Sequence, residues 1–546
     1  MKSWFTPLAV VLIVLGAVVG GLFGRMPARI SAQGGVSTER VLADYKEALD
    51  VITQSYVSPV DNEKVGDSSM QSMLWTLDPH SSFFTREEFR KLDEEQSSQF
   101  YGIGVSILQH RDGVYVQSVI PNTPAEKAGL RYGDRFLTVG GKDAKDWTSA
   151  EVSRNVRGER GTAVKLRIER FGNPAPLDFE IIRGGVPLPS IRNYFMLQNG
   201  IGYVGLTGGF QQTTSEELST AIADLKKRGM KTLILDLRGN PGGILEQAIG
   251  VVSKFIPPGR TVVSVKGAGG SQGRELRSTG SDPETFPLIV MINGGSASAS
   301  EIVAGAVQDY ARGLVVGTDS FGKGLVQRVF RLPYGTGLTL TTARYYTPYG
   351  RSLQRDYSSG SIYGYYTHTD AEAATSETDV KPKPAGSPVT LPDGRVLFGG
   401  RGIEPDVVAP PPAPSALRAR INEAAFFFVR QAVAGKIGGF ENLRAEKQSF
   451  KQTLQPSEFN VSDKLFETFR AFAAGDKANG LTAENINSQA EYARARLRQE
   501  LATANYSTEA GVQVLLESDP QIVRAIDSVP KATEMAAASS RVRVFN

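Results

Sequence analysis

The stretch that decides the reading is Asn293–Gln327, NGGSASASEIVAGAVQDYARGLVVGTDSFGKGLVQ. Just before it, Pro287 to Ile292 (PLIVMI) is a short apolar run of the kind a buried strand uses. Three serines, Ser296, Ser298 and Ser300, follow among glycine and alanine. Ile302, Val303, Ala306, Val307 and Tyr310 then keep helical spacing. The serines therefore stand where a strand gives way to a helix. A helix start offers unpaired N–H groups and a positive dipole end, which suit a developing oxyanion. A second apolar run, Leu314 to Gly317, predicts another strand and leads to Lys323 between two glycines. If the chain is already extended there, Lys323 and Gln327 share a face.

A serine hydroxyl is a poor nucleophile until a base takes its proton. Lysine can do so only when neutral, and its reference pKa is about 10.4. Burial beside Phe321, Leu325 and Val326 would lower that value. The three histidines, His80, His110 and His368, all lie far from the serines in sequence. A Ser–Lys pair is the economical reading. Two plainer readings compete with it. A Gly/Ser/Ala cluster at a helix start can serve close packing alone. Gly317 to Gly324 also nearly fits the phosphate pattern G-x-x-x-x-G-K-[ST]. Gly324 replaces the required hydroxyl, and LVQRVFRL after it reads as strand rather than helix. Neither accounts for serines, lysine and glutamine together.

These residues resemble the C-terminal processing peptidases, or tail-specific proteases. The matching pieces are Ser-Ala-Ser-Ala-Ser-Glu (296–301), Phe-Gly-Lys-Gly (321–324) and Gln327. In that family the lysine follows the nucleophile by 25 positions, and Lys323 stands 25 after Ser298. The resemblance thus selects Ser298 over Ser296 and Ser300. It implies Lys323 as general base, Gln327 as its orienter and Ala299 as one backbone oxyanion donor. Arg238-Gly-Asn-Pro-Gly-Gly243 follows the strand-like Thr232–Leu237. The resemblance implies Gly243 as second donor, or Gly242 if the alignment slips by one. Asp236 and Arg238 are expected to brace this loop without chemistry.

Residues 98–184 alternate in strand fashion and resemble a PDZ domain. Tyr101-Gly102-Ile103-Gly104-Val105, Pro124–Leu130 and Gly133-Asp134 carry that resemblance. It implies that Tyr101 to Val105 catch a peptide's terminal carboxylate. The peptide would add as a strand beside the sheet edge, with a helix near 149–157 as the other wall.

The fold class read from the chain is multidomain α+β and α/β. Residues 1–36 form a membrane anchor or signal segment, because residues 4–23 carry no charge and are about long enough to span a bilayer. Residues 37–97 read as helical, with Val41, Leu42, Tyr45, Leu49 and Ile52 as an apolar stripe. The PDZ domain follows. An α/β protease core of strand–Gly turn–helix units fills 185–410, with a flexible or hairpin insertion at 355–400. A helical module, 411–546, ends the chain. Leu77–Phe83 resembles a motif that precedes the PDZ domain in the family; His80 within it reads as a turn or surface residue. In the last module Phe426–Phe428 reads as core, and Arg494 to Glu500 as a solvated face.

Composition bounds the rest. The length of 546 residues allows roughly three to five domains. A net charge of +4 is too small to argue for nucleic acid, and the absence of cysteine excludes disulfides, thiolate metal sites and a thiol nucleophile. No metal or cofactor is expected. The reading is a serine endopeptidase that trims exported proteins near their C-termini, with protein tails as partners. It would be anchored in the inner membrane facing the periplasm, or secreted if the first segment is cleaved. A homo-oligomer is compatible with the terminal helices. The alternatives are an inactive PDZ scaffold with a protease-like core, and an acyl-thioester enzyme of related fold.

Overall fold

A computed structural model describes residues 37–544 apart from 97, 268–272, 358–364, 366–385, 392 and 451–452. The chain divides into two compact units, Met1–Ser72 and Met73–Asn546. In the first, helix Thr38–Ser55 starts at Ser37, whose hydroxyl accepts from the Arg40 N–H. Its apolar stripe is present, yet Val41, Leu42, Tyr45 and Ile52 are exposed. Helical spacing identifies such a helix without saying what covers its face. The apolar segment 4–23 lies outside the described residues. Among those described, no helix is long and apolar enough to cross a membrane.

The region read as wholly helical contains an exception. Helices Asn62–Trp75 and Arg86–Gln96 flank a short strand, Ser82–Phe84, which pairs with Gly337–Thr339. The PDZ sheet runs Val105–His110, Gly113–Val119, Arg135–Val139, Ala163–Glu169, Leu177–Ile182, with Lys142–Asp143 beside the third. Strict alternation in Ala163–Glu169 sends Val164, Leu166 and Ile168 into its core. Val105–His110 is an edge strand. Helix Ser149–Val156 is secured beside it by a capping box of Thr148 and Glu151 and by the Ser149 N–H on Gln109 Oε1 at 2.8 Å.

The region expected to form the α/β core is built on a six-stranded sheet. Its order is Ile191–Met196, Ile201–Leu206, Thr232–Asp236, Leu288–Ile292, Leu314–Gly317, Val407–Val408, antiparallel only at the first pair. The central strands are buried on both faces, which is why they read as unbroken apolar runs. Leu233, Leu235, Val290 and Ile292 face helices Thr214–Lys227, Leu245–Val252 and Ala299–Asp309. Ile234, Ile289 and Met291 face Leu516, Ile522 and Ala525 of the C-terminal helices. In register, Asp236 lies beside Met291 and Met291 beside Val316. Three loops therefore leave the carboxyl ends of three adjacent parallel strands side by side, where open α/β sheets form their sites. A second, antiparallel sheet holds Leu325–Arg331 against Gly337–Tyr346. A strand after Lys323 removes the phosphate-loop reading, which needs a helix there. Within the expected insertion, Pro388–Thr390 and Val396–Phe398 form a hairpin.

The C-terminal module is helical. Pro520, with Asp519 capping the Gln521 and Ile522 N–H groups, separates helix Thr508–Glu517 from helix Pro520–Asp527. Phe426 and Phe428 are core residues, packed with Tyr115 and Tyr132 of the PDZ domain. Arg494 to Glu500 are not a solvated face. Glu500 is 1% exposed, accepts from Tyr132 at 2.7 Å and pairs with Arg496.

Candidate active site

The three serines fall into two kinds. Ser296 and Ser300 are fully buried, and each hydroxyl is spent on a main-chain carbonyl: Leu237 at 2.8 Å and Asn240 at 2.9 Å. Ser298 is half-buried and sits at the helix N-cap with φ 57° and ψ −112°. A non-glycine residue in that region is strained, and such strain gathers at reacting groups.

Glu301 fastens the site together. Its side chain is 0% exposed. One oxygen, Oε2, accepts from the main-chain N–H of Ser298 and from that of Lys323, each at 2.8 Å. The other, Oε1, accepts from the Ser320 hydroxyl at 2.6 Å and the Gly322 N–H at 2.7 Å. Burial pushes this carboxyl up, and the four donors, Ser320 first, oppose that shift. The sequence quoted Glu301 within a motif but assigned it nothing. The S-x-x-E spacing of a capping box was the available signal.

Lys323 is half-buried, and burial lowers its pKa while Glu301 and Asp78 pull it back up. Its Nζ donates to Gln327 Oε1 at 3.0 Å. Gln327 in turn donates from Nε2 to the main-chain carbonyl of His80. The strand begins only at Leu325 and bulges between Val326 and Gln327, so the meeting of lysine and glutamine is not a regular strand face. The Tyr345 phenol donates to the Lys323 carbonyl, and the nearby Ser298 opposes the rise that burial imposes on it.

Gly242 approaches the serine from the loop after the neighbouring strand, and Gly243 beside it packs against Phe210. A side chain on Gly242 would meet Ser298 Cβ and the Ala297 carbonyl at 2.7 Å, and one on Gly243 would strike the Phe210 carbonyl at 2.2 Å. The Gly242 N–H is spent on Asn240 Oδ1 at 2.9 Å. Those of Gly243 and Ala299 make no hydrogen bond among the described residues. Asn240, unnoticed in the sequence, accepts from the Ala297 N–H at 3.0 Å and the Ser300 hydroxyl, which joins the two loops. Arg238 pairs with Asp236 as expected and also reaches Asp519 at 2.8 Å.

His80 is a buried residue, 8% exposed, not a surface one. Its ring meets the Tyr365 hydroxyl at 2.8 Å, and burial, then Lys323, holds its pKa down at about 3. His110 is far in role: it stacks on Phe426 at 4.0 Å. His368 lies outside the described residues. In the PDZ domain, Ile103 and Gly104 lie between strands Gln99–Gly102 and Val105–His110, and their N–H groups make no hydrogen bond among the described residues. Tyr101 and Val105 are half-buried at its margins.

Comparison with known proteins gives the chain's family. Peptidase family S41 matches residues 200–360, and the PDZ domain family matches 102–181. A carboxy-terminal-processing protease of Bartonella bacilliformis is 36% identical over 352 residues, 63% of this chain and 80% of its own. The carboxy-terminal processing protease CtpA of Bacillus subtilis is 34% identical, over 57% of this chain and 66% of its own. Among solved structures, a photosystem II D1 C-terminal processing protease is 29% identical, over 58% of this chain and 91% of its own, with a TM-score of 0.33. The chain belongs to peptidase family S41, among its carboxy-terminal processing serine proteases that carry a PDZ domain.

Proposed function

We propose that this chain hydrolyses exported proteins near their C-termini with Ser298 as nucleophile and Lys323 as general base. One observation carries the reading. A single buried carboxylate oxygen holds the main-chain N–H groups of Ser298 and Lys323, while the hydroxyls of Ser296 and Ser300 are committed elsewhere. Ser298 rotates toward neutral Lys323 when substrate enters; resting active-site hydrogen bonds commonly tighten only in the complex. Ser298 Oγ attacks the scissile carbonyl carbon as its proton passes to Lys323 Nζ. The N–H groups of Gly243 and Ala299 receive the oxyanion. The C–N bond then breaks, Lys323 protonates the leaving amine, and water, activated by Lys323, releases the acyl group. Gln327 keeps the amine aimed.

The substrate tail adds beside edge strand Val105–His110, against helix Ser149–Val156. Its carboxylate meets the loop Tyr101-Gly102-Ile103-Gly104-Val105, where the free N–H groups of Ile103 and Gly104 support this role. The uncharged segment 4–23 supports an envelope location: inner-membrane anchored and facing the periplasm, or secreted after cleavage.

The test compares wild type, Ser298→Ala, Lys323→Ala and His80→Ala on one substrate with an unfolded tail. The first two variants lose turnover. The third, which retains its main-chain carbonyl, cleaves. Turnover that survives Ser298→Ala contradicts the assignment.

A further inference from the structure

The turn Asp78–Ser81 has no part in the chemistry above, yet it reaches the general base. Asp78 is 6% exposed. Its Oδ1 accepts from the N–H groups of His80 at 2.8 Å and Ser81 at 2.9 Å, and its Oδ2 from the Ser81 hydroxyl at 2.7 Å. The Ser81 oxygen accepts in turn from the Thr341 N–H at 3.2 Å. Thr341 is the cross-strand partner of Gln327. The turn is thus pinned opposite Gln327 by the sheet itself. There the His80 carbonyl takes a hydrogen bond from Gln327 Nε2. An amide whose NH₂ end is occupied in this way must present its oxygen at the other end, and that oxygen faces Lys323 Nζ at 3.0 Å.

We propose that Asp78–Ser81 is the positioning element of the general base: Asp78 fixes His80, the His80 carbonyl orients Gln327, and Gln327 aims Lys323, while the Asp78 carboxylate adds a buried negative charge facing the amine. The proposal rests on Lys323 being the base. Four groups face that lysine: Glu301 from the serine helix, Asp78 and His80 from this turn, and Tyr345, whose hydroxyl bonds the Lys323 carbonyl. His80 is held neutral. Asp78 and Glu301 are the groups that favour the lysine's charged form against burial. An amine dried without such help would accept a proton too weakly to serve as base, so the two carboxylates tune it toward the working range.

The test is the pH dependence of kcat/KM for Asp78→Asn, with Lys323→Ala beside it. Asparagine keeps an oxygen for the His80 and Ser81 N–H groups, removes the charge, and sets an amide NH₂ opposite the Ser81 hydroxyl, whose oxygen can accept from it. The rise of activity with pH then moves toward acid by about half a unit or more, with KM unchanged. Asp78→Ser keeps an oxygen in the same turn and is expected to move the profile the same way; it replaces asparagine if that variant does not fold. Asp78→Ala, which frees the turn, lowers kcat about tenfold or more with KM unchanged. Profiles that superimpose on wild type, or move toward alkali, in the folded variant overturn the proposal. So does a fall in melting temperature with no movement of the profile. If Lys323→Ala is inert and the profile has not moved, only the positioning role fails. If Lys323→Ala still turns over, the base assignment itself fails.

Discussion

The catalytic turn and the seam between the PDZ domain and the C-terminal helices are both built from buried charge, but on different length scales. Glu301 gathers its four donors from within 22 positions of itself. At the seam, Arg430 reaches Glu169 across 261 positions, Tyr132 reaches Glu500 across 368, and Ser118 reaches Thr508 across 390. The first arrangement needs one motif and a helix start. The second exists only once two separately folded layers have met. The difference teaches that the frame joining Ser298 to Lys323 is fixed locally here, while the aim of Lys323 through His80 and the placement of the PDZ domain depend on distant parts of the chain.

That comparison can be broken at either end. The largest effect belongs to Ser298→Ala, which lowers kcat/KM by about a thousandfold or more. Ser296→Ala and Ser300→Ala retain turnover and lose stability of about 1 kcal/mol each, as single buried hydrogen bonds do. Steady-state kinetics and denaturant melts on the three variants separate nucleophile from brackets. Next is Glu301→Gln, which turns two of its lone-pair sites into a donor group facing N–H groups. It lowers kcat by about tenfold to a hundredfold and costs about 1–3 kcal/mol in the same melts.

At the seam, Arg430→Ala removes one of two arginine partners of Glu169 and the donor to the Gly133 carbonyl, as well as packing over Tyr115. It costs about 1–2 kcal/mol of stability, since Glu169 stays partly solvated and keeps Arg135. Cleavage of a short peptide that needs no PDZ capture stays near wild type. Equal losses on short and tailed substrates would show that the seam also shapes the catalytic turn. The last test is acid sensitivity. His80 at the catalytic site and His110 at the seam are held neutral, at about 3 and about 4. Both lie below the unfolded value, so the unfolded chain binds more protons and stability falls as pH drops from about 6.5 through those values. His110→Phe, which can keep the stack on Phe426, flattens part of this fall in a series of melts across pH.

Legibility in the sequence followed the same division. The serine cluster, Lys323, Gln327 and the glycine loop stood out because each lies in a short pattern, and it was the family resemblance that chose Ser298 among the three serines. The parallel strands could be read because burial on both faces leaves continuous apolar runs. Glu301 was hidden in plain view: its spacing matches a capping box, but nothing local says that the same oxygen also serves Lys323. Asn240 and the Asp78 turn act through atoms brought together by sheet register, which no local pattern encodes. Arg496 and Glu500 read as solvent-facing because charge alternating along a helix usually is; their partner, Tyr132, comes from another domain. Helix Thr38–Ser55 carries the converse lesson, since its stripe announced a helix and left its face exposed.

The claim beneath all of this is that one lysine, dried by its surroundings, takes the proton of one serine. The most direct measurement is the labelling rate of the intact protein by a serine-directed organophosphonate across pH, with the modified residue mapped by mass spectrometry. The account predicts a single adduct on Ser298, forming faster as pH rises through one deprotonation below the ordinary lysine value, and no such rise in Lys323→Ala. An adduct on Ser296 or Ser300, or a Ser298 rate with the same pH dependence when Lys323 is absent, would contradict it.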